Sequence, residues 1–215
     1  MLKAILFDLD GTLLNTNDLI IKSFEAAFKH YFPDREFSRD EIIDCIGPTL
    51  HQTGAKYYPQ DVEEFVSVYR KYYVENHDEL IEIFPGVPEM LKQLKELGLV
   101  LVIVTSKKRD MTIKGMSYMK VLDYFDLIVS SDDVTKPKPA PESIELVLKE
   151  LNLKPEEVMM VGDNSHDIEC ANNALVKSVG VGWALRGADY LHSFNPTYII
   201  STTSDLVEIV KREGV

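Results

Sequence analysis

The sequence has little cysteine and no long apolar run. Its 215 residues include two cysteines, Cys45 and Cys170, which lie far apart and form neither a CxxC pair nor a cysteine–histidine ligand spacing. No apolar stretch approaches the length of a membrane span, and no secretory apolar segment precedes the first predicted strand. We therefore expect a cytoplasmic protein with two free thiols.

Positive charge is also scarce. Lysine and arginine number 23 against 35 aspartates and glutamates, which gives a formal net charge of −12. This balance argues against nucleic acid or an anionic membrane as a partner, because both would be repelled. Any site for a small anion must therefore be positive locally. With 45% hydrophobic residues, the chain is long enough for one large domain or for a core with a smaller insert.

Short apolar runs alternate with segments of helical pattern over most of the chain. Strands buried on both faces and separated by helices are typical of an α/β protein with a parallel sheet. The predicted strands are Ala4–Phe7, Val100–Val104, Leu127–Val129, Val158–Val161, Ser178–Val181 and Tyr198–Ile200. One predicted helix among them begins after Gly86 and ends at Leu97-Gly98, and the others cover Asp110–Met119, Pro141–Leu151, Ser165–Ala174 and Ser204–Arg212.

One stretch interrupts this alternation. Residues 15–83 contain helical patterns and no convincing strand: Asp18–Tyr31, a helix led by the capping box of Ser38 and Glu41 and ending at Gly47-Pro48, and Asp61–Glu75. A block of helices between the first two core strands is an inserted subdomain. We therefore expect a core domain of residues 1–14 and 84–215 and a helical cap of residues 15–83.

Two carboxylates follow the first strand directly. Asp8 and Asp10, in the string Asp8-Leu9-Asp10-Gly11-Thr12, lie on the same side of the extended chain because side chains alternate. Two negative charges this close need a compensating cation to stay ionised. The pair therefore indicates a divalent metal site and a chemical role.

Polar residues also follow the other predicted strands. Thr105-Ser106 follows the second, Lys136 stands in a proline-rich loop after the third, and Gly162-Asp163 follows the fourth, with Asp167 four residues later. The carboxyl ends of parallel strands share one edge, so these side chains can converge. Together they suit phosphoryl transfer, which depends on positioning and charge neutralisation. Lys138 also precedes a proline and is the alternative candidate. Of the two lysines, we favour Lys136.

These strings resemble the four ordered motifs of the haloacid dehalogenase superfamily. The matching strings are Asp8-Leu9-Asp10-Gly11-Thr12, Val104-Thr105-Ser106, Lys136-Pro137 and Gly162-Asp163-Asn164-Ser165-His166-Asp167. The resemblance covers essentially residues 1–13 and 84–215. It implies a Rossmann-like core with a helical cap inserted after the first motif, and a Mg²⁺-dependent phosphohydrolase.

The resemblance also implies a role for each matching residue. Asp8 would attack phosphorus to form an aspartyl-phosphate, and Asp10 would act as general acid and then as general base. Mg²⁺ would be held by Asp8, the backbone carbonyl of Asp10 and Asp163, with Asp167 in support. The phosphate would be bound by three side chains, those of Thr105, Ser106 and Lys136.

The substrate depends on the helical insert. Strings in and beside it are similar to a bacterial branch of inorganic pyrophosphatases within this superfamily: Asn15-Thr16-Asn17, Ile46-Gly47-Pro48, Asn76-His77-Asp78-Glu79-Leu80 and Phe84-Pro85-Gly86-Val87. Pyrophosphate is therefore the favoured substrate. The alternatives are phosphoglycolate or another small phosphomonoester and, less favoured, a β-phosphoglucomutase-like reaction. We expect the loop at Gly47 and Pro48 to face the active site, because backbone at a glycine can approach a ligand closely.

Overall fold

A computed structural model describes residues 1–215. The chain forms two compact units: residues 1–15 with 83–215, the sheet unit, and residues 16–82, the helical unit. The strands are β1 (Ala4–Phe7), β2 (Leu14–Asn15), β3 (Glu82–Ile83), β4 (Val100–Val104), β5 (Leu127–Val129), β6 (Val158–Gly162), β7 (Lys177–Val181) and β8 (Tyr198–Ile200). The helices are α1 (Asn17–Tyr31), α2 (Arg39–Ile43), α3 (Leu50–Tyr57), α4 (Val62–Leu80), α5 (Val87–Glu96), α6 (Arg109–Tyr118), α7 (Glu142–Glu150), α8 (Ser165–Asn173), α9 (Gly187–His192) and α10 (Thr203–Glu213).

Six strands form one parallel sheet in the order β5-β4-β1-β6-β7-β8. The first strand of the chain therefore lies in the interior of the sheet, where Phe7 pairs with Ile103 of β4 and with Val161 of β6. The predicted α/β class with a parallel sheet flanked by helices is confirmed. Because the three strands run in parallel, the residues that follow β1, β4 and β6 lie at one edge.

The interior strands β1, β4 and β6 are buried on both faces, which explains their apolar sequences. One face packs against α7 and α8, where Ile144, Val147 and Ala171 contact Leu6, Val102 and Met160 of the strands in one buried cluster. Of the other helices, α5 packs against both β4 and α10. None of the ten helices combines the length and the apolar composition that a membrane span requires.

The helical unit has a core of its own, built largely from aromatic rings. Phe28 on α1 stacks on Phe37 with ring centroids 4.0 Å apart, and Phe24 packs against Tyr69 of α4 at 4.7 Å. In α1 the buried side chains include Leu19 and Phe28, and in α4 they include Phe65 and Tyr73. The aromatic residues of this unit form its core, which is how aromatic side chains with large apolar area are commonly used.

Several elements differ from the sequence-based prediction. The capping box of Ser38 and Glu41 is present, but α2 ends at Ile43 and not at Gly47-Pro48, because Cys45 and Ile46 bond three residues back in tighter turns. Helix α3 was not predicted. Its sequence is mostly polar and it buries only Thr53 and Gly54, so periodicity gives little signal there. The short helix α9 and the short strands β2 and β3 were also missed.

Candidate active site

Asp8 lies at the carboxyl end of β1 and is buried. Its backbone N–H donates to the carbonyl of Val161, 2.9 Å away, which continues the β1–β6 ladder to this residue. The backbone of Asp8 is thus fixed by β6 at the carboxyl ends of the strands. The predicted placement of a carboxylate at this strand end agrees with the structure.

The lysine beside Asp8 is Lys138, and the prediction of Lys136 for this place is wrong. Lys138 Nζ donates to Asp8 Oδ1 at 2.7 Å, to Asp167 Oδ1 at 2.5 Å and to the carbonyl of Val104 at 3.1 Å. An ammonium group has three N–H donors, so all of them have partners here. Lys136 is exposed and is held by its backbone N–H, which donates to Glu142 Oε2 at 2.7 Å.

The loop that carries Lys138 is held by α8. The Asn173 side chain donates to the carbonyl of Pro139 at 3.0 Å, and the Cys170 thiol donates to the carbonyl of Ala140 at 3.1 Å. These two contacts hold the loop against α8. They explain why Lys138 points into the sheet edge while Lys136, two residues earlier, points outwards.

Asp163 follows β6 and approaches the chain after β1. Thr12 Oγ1 donates to Asp163 Oδ1 at 3.2 Å. A Cβ atom at Gly11 would lie 2.2 Å from Asp163 Oδ2, and Gly11 has a φ of +85°, so glycine is required there for two reasons. The Gly-Thr pair after the two aspartates therefore makes room for Asp163 and binds it.

Asp167 lies in the first turn of α8 and is 1% exposed. Its Oδ2 accepts the backbone N–H of Asn164 at 3.0 Å, while Oδ1 accepts from Lys138. Gly162 lets this side chain come close to the strand end, since a Cβ there would lie 2.3 Å from the Cβ of Asp167. Asp167 thus caps its own helix and is also an ion-pair partner of Lys138.

Three carboxylates meet in this pocket of the sheet unit. Asp8, Asp163 and Asp167 each offer an oxygen, and these atoms lie within 4.8 Å of one another. Burial, together with the neighbouring charge of Asp167, raises the pKa of Asp8 from 3.8 to about 7 despite the opposing effect of Lys138. Burial and the Asp8 charge likewise raise the pKa of Asp163.

Lys138 supplies one positive charge to this group. Burial would lower its pKa, but the carboxylates of Asp167 and Asp8 outweigh that effect and raise it, so the ammonium stays charged. When they are ionised, three buried carboxylates and one ammonium leave an excess of negative charge. A divalent cation with oxygen ligands would balance this excess, and the donor set fits such an ion.

Asp10 does not join this carboxylate group. Its Oδ1 accepts from Lys107 Nζ at 2.7 Å, with the two side chains 14% and 13% exposed. This ion pair places the positive charge of Lys107 at the site. The hydroxyl of Thr105 accepts the backbone N–H of Lys107 at 3.2 Å and therefore keeps its own proton to donate.

The remaining predicted site residues are Ser106, Gly47 and Pro48. Ser106 is partly exposed at the end of β4, beside the buried Thr105. Gly47, with a φ of +116°, and Pro48 lie in the loop between α2 and α3 of the helical unit. Their approach to the site stays a prediction.

Sequence reasoning missed one residue near the site. Trp183, in the loop after β7, donates from its indole N–H to the carbonyl of Thr12 at 3.1 Å, and its ring lies 6.0 Å from that of Phe84. It thus holds the turn that follows Asp10 through the backbone of Thr12, whose side chain binds Asp163. As the single tryptophan of the chain it was a visible candidate, but no local pattern linked it to residues 171 positions away.

Comparison with known proteins gives consistent matches. The family model described as haloacid dehalogenase-like hydrolase matches residues 5–181. The chain is 46% identical over 209 residues to the protein named pyrophosphatase PpaX of Halalkalibacterium halodurans, covering 97% of both chains. It is 43% identical over 211 residues to the pyrophosphatase PpaX of Bacillus mycoides, covering 98% of both.

A solved structure is similar over the same extent. The crystal structure of a haloacid dehalogenase-like hydrolase from Bacteroides fragilis superposes with a TM-score of 0.88 at 28% identity. The match covers 96% of this chain and all of that one. The likeness therefore includes both the sheet and the inserted helices.

Proposed function

The chain belongs to the haloacid dehalogenase-like hydrolases, and on that basis we propose that it hydrolyses inorganic pyrophosphate through a covalent intermediate on Asp8. The observation that carries the proposal is the match over nearly the whole chain to proteins named pyrophosphatases. Because that match includes residues 16–82, it extends to the part of the chain that we expect to select the substrate. The two buried, unbridged cysteines are in keeping with our inference that the enzyme acts in the reducing cytoplasm.

The metal that we propose is Mg²⁺. Asp8 and Asp163 would hold it together with the backbone carbonyl of Asp10, and Asp167 would support them; three clustered carboxylate oxygens suit a hard cation that prefers oxygen. When bound, such an ion neutralises charge on the transferring phosphoryl group.

Asp8 is the nucleophile in this proposal. A carboxylate oxygen of Asp8 bonds to phosphorus while the bond from phosphorus to the bridging oxygen breaks, and Asp10 gives the departing phosphate its proton. In the second step Asp10 takes a proton from water, which attacks the aspartyl-phosphate and releases the second phosphate. Two phosphates are thus formed from one pyrophosphate and one water.

Lys138 and Thr105 support these steps in different ways. All three N–H groups of Lys138 are donated to protein acceptors, so its first role is to orient Asp8 and to oppose the rise in the pKa of Asp8 that burial causes. The Thr105 hydroxyl, which accepts from a backbone N–H, directs its own proton toward an oxygen of the transferring group. Such preorganised donors account for much of the stabilisation of charge in transition states.

A substrate panel tests the proposal. Phosphate release from pyrophosphate, phosphoglycolate and hexose phosphates should give the highest kcat/KM for pyrophosphate. If phosphoglycolate is preferred by about tenfold, a difference of roughly 1.4 kcal/mol in transition-state binding, the substrate assignment is wrong.

The nucleophile is tested separately. Asp8→Asn should abolish turnover of every substrate, whereas Asp189→Asn, an exposed aspartate on α9, should leave it unchanged. Acid-quenched wild-type enzyme should carry a phosphoryl group on the peptide that contains Asp8. Turnover by Asp8→Asn would remove the covalent mechanism.

A further inference from the structure

The ion pair between Lys107 and Asp10 joins two parts of the chain that are 97 residues apart. Both side chains are mostly shielded from water, so the pair is less screened than a surface ion pair and holds its geometry better. Removing two charges from water costs free energy. The attraction between the charges offsets that cost only when the ion pair is well formed. The contact is therefore one that the fold maintains.

The backbone at Lys107 is fixed on both sides. Its N–H donates to Thr105 Oγ1 at 3.2 Å, and its carbonyl accepts the N–H of Ser131 at 3.1 Å, which ties the end of β4 to the end of β5. Asp10 is fixed in turn by the tight turn at Gly11, whose N–H donates to the carbonyl of Leu14 at 2.8 Å. The charged groups thus meet between two anchored segments.

Arg109, two residues after Lys107, binds other groups. Arg109 donates from its guanidinium to the carbonyl of Ile128 at 2.9 Å and to Asp133 Oδ2 at 2.7 Å, at the end of β5. The basic run 107–109 is therefore not a diffuse positive patch. Lys107 is the member whose charged group reaches a site carboxylate.

We propose that Lys107 is the positioning residue for Asp10: through its ion pair it holds the Asp10 carboxylate in the orientation from which protons are exchanged with the leaving group and with water. This inference rests on the proposed function, because it assigns the acid–base role to Asp10. Proton transfer requires a carboxylate oxygen at hydrogen-bond distance and in line, so a fixed carboxylate plane has a direct effect on the rate. Lys107 itself acts through Asp10.

The test compares substrates whose leaving groups need acid assistance to different degrees. An alkyl phosphate has a basic leaving group and depends on Asp10, whereas p-nitrophenyl phosphate has a good leaving group and depends on it little. Because a complete general acid–base contribution is about 10²–10⁴-fold, Lys107→Met should lower kcat for the alkyl phosphate by about 10- to 100-fold and for p-nitrophenyl phosphate by less than about threefold. Lys107→Arg, which keeps a cationic donor, should recover most of the loss.

The matched control is Lys95→Met. Lys95 makes an ion pair of the same length, 2.7 Å, with Asp126, but it lies on the surface and away from the strand ends that carry the site. This variant should behave as wild type with both substrates. Thermal unfolding of each variant then separates a loss of fold from a loss of positioning.

A double-mutant cycle identifies the residue through which Lys107 acts. In an Asp10→Asn background, Lys107→Met should cost little further activity, because the group that it positions is already absent. Additive losses would overturn the proposal, as would a rise in KM with kcat unchanged, which would mean that Lys107 only attracts the anionic substrate.

Failure of this inference differs from failure of the proposed function. If wild-type enzyme hydrolyses phosphate esters and Lys107→Met matches Lys95→Met, only the role of Lys107 is wrong. If wild-type enzyme releases phosphate neither from pyrophosphate nor from a phosphate ester, the proposed function is wrong and the role of Lys107 is lost with it.

Discussion

Replacing Lys138 by methionine should destabilise the protein strongly, whereas the same change at Lys136 should not. Lys138→Met keeps the length of the side chain and most of its volume, so little of the effect comes from packing. It removes the ammonium that binds Asp8, Asp167 and the Val104 carbonyl. What remains is a group of buried carboxylates without their cation.

The expected magnitude follows from those contacts. Removing one partner of a buried ion pair costs about 3–5 kcal/mol, because the other charge stays buried and unpaired. That loss corresponds to a factor of about 10²–10⁴ in the folding equilibrium constant and is a large part of a typical total stability of about 5–15 kcal/mol. Lys136→Met changes an exposed side chain and should stay within about 0.5 kcal/mol of wild type.

Urea unfolding in the presence of EDTA measures both variants. Trp183, the single tryptophan, reports unfolding of the sheet unit by its fluorescence. Phosphate release should be lost in Lys138→Met at temperatures where it remains folded and should be retained in Lys136→Met. If the two variants unfold at the same urea concentration, or if Lys136→Met is the one that loses turnover, the assignment of the buried lysine is refuted.

Three further outcomes are expected. Gly11→Ala should displace Asp163 and lower activity more than about tenfold, whereas Gly98→Ala, which has a similar positive φ of +83° but no atom within 4 Å of the added carbon, should lose only stability, by about 1–3 kcal/mol. Mg²⁺ at about 100 times its Kd should raise the free energy of unfolding by about 2.7 kcal/mol, and Asp163→Asn should reduce that gain; an unchanged thermal midpoint with Mg²⁺ would contradict the metal site. The backbone N–H of Thr202 lowers the pKa of Asp205 below 3.8, so its contribution to stability is present above that pH and is lost as the pH falls through the lowered pKa. The stability gap between wild type and Asp205→Asn, measured by urea unfolding from pH 7 to pH 2.5, should therefore close only at the acid end.

The sheet could be predicted because its strands are buried on both faces. Runs such as Val100–Val104 are apolar at every position, and each is followed by a glycine, a hydroxyl or a carboxylate that marks where the strand ends. Local pattern is sufficient for that inference, because burial acts on every residue of the strand. The amphipathic helix α1 was found for the same reason, since one face of it is buried.

Local sequence pattern could not decide between Lys136 and Lys138. Both lysines precede a proline in the same loop, so the sequence treats them alike. Their directions are set by contacts from α8, namely Asn173 to the Pro139 carbonyl and Cys170 to the Ala140 carbonyl, which lie 34 and 30 residues along the chain. Such tertiary contacts decide where a loop side chain points, and no periodicity records them.

The Lys107–Asp10 ion pair is a second contact that local sequence pattern could not predict. Sequence spacing placed Asp10 on the same side of the chain as Asp8 and indicated one compensating divalent cation for the pair. The structure instead gives the Asp10 carboxylate a cation of its own, at the end of a neighbouring strand. Two carboxylates two residues apart are thereby separated into different electrostatic surroundings, which alternation along a strand cannot reveal.

The interior position of β1 has a consequence for how the protein is made. During synthesis β1 and Asp8 emerge before the two strands that flank them, β4 and β6, and Thr12 meets Asp163 only 151 residues later. Residues 16–82 can form their own contacts long before that, because a domain folds as its residues become available. During refolding, hydrogen exchange should therefore protect amides of the helical unit before those of β1, since pairing across such long loops is slow. Every nascent chain therefore passes through a stage in which Asp8 is present without the residues that surround it in the folded protein.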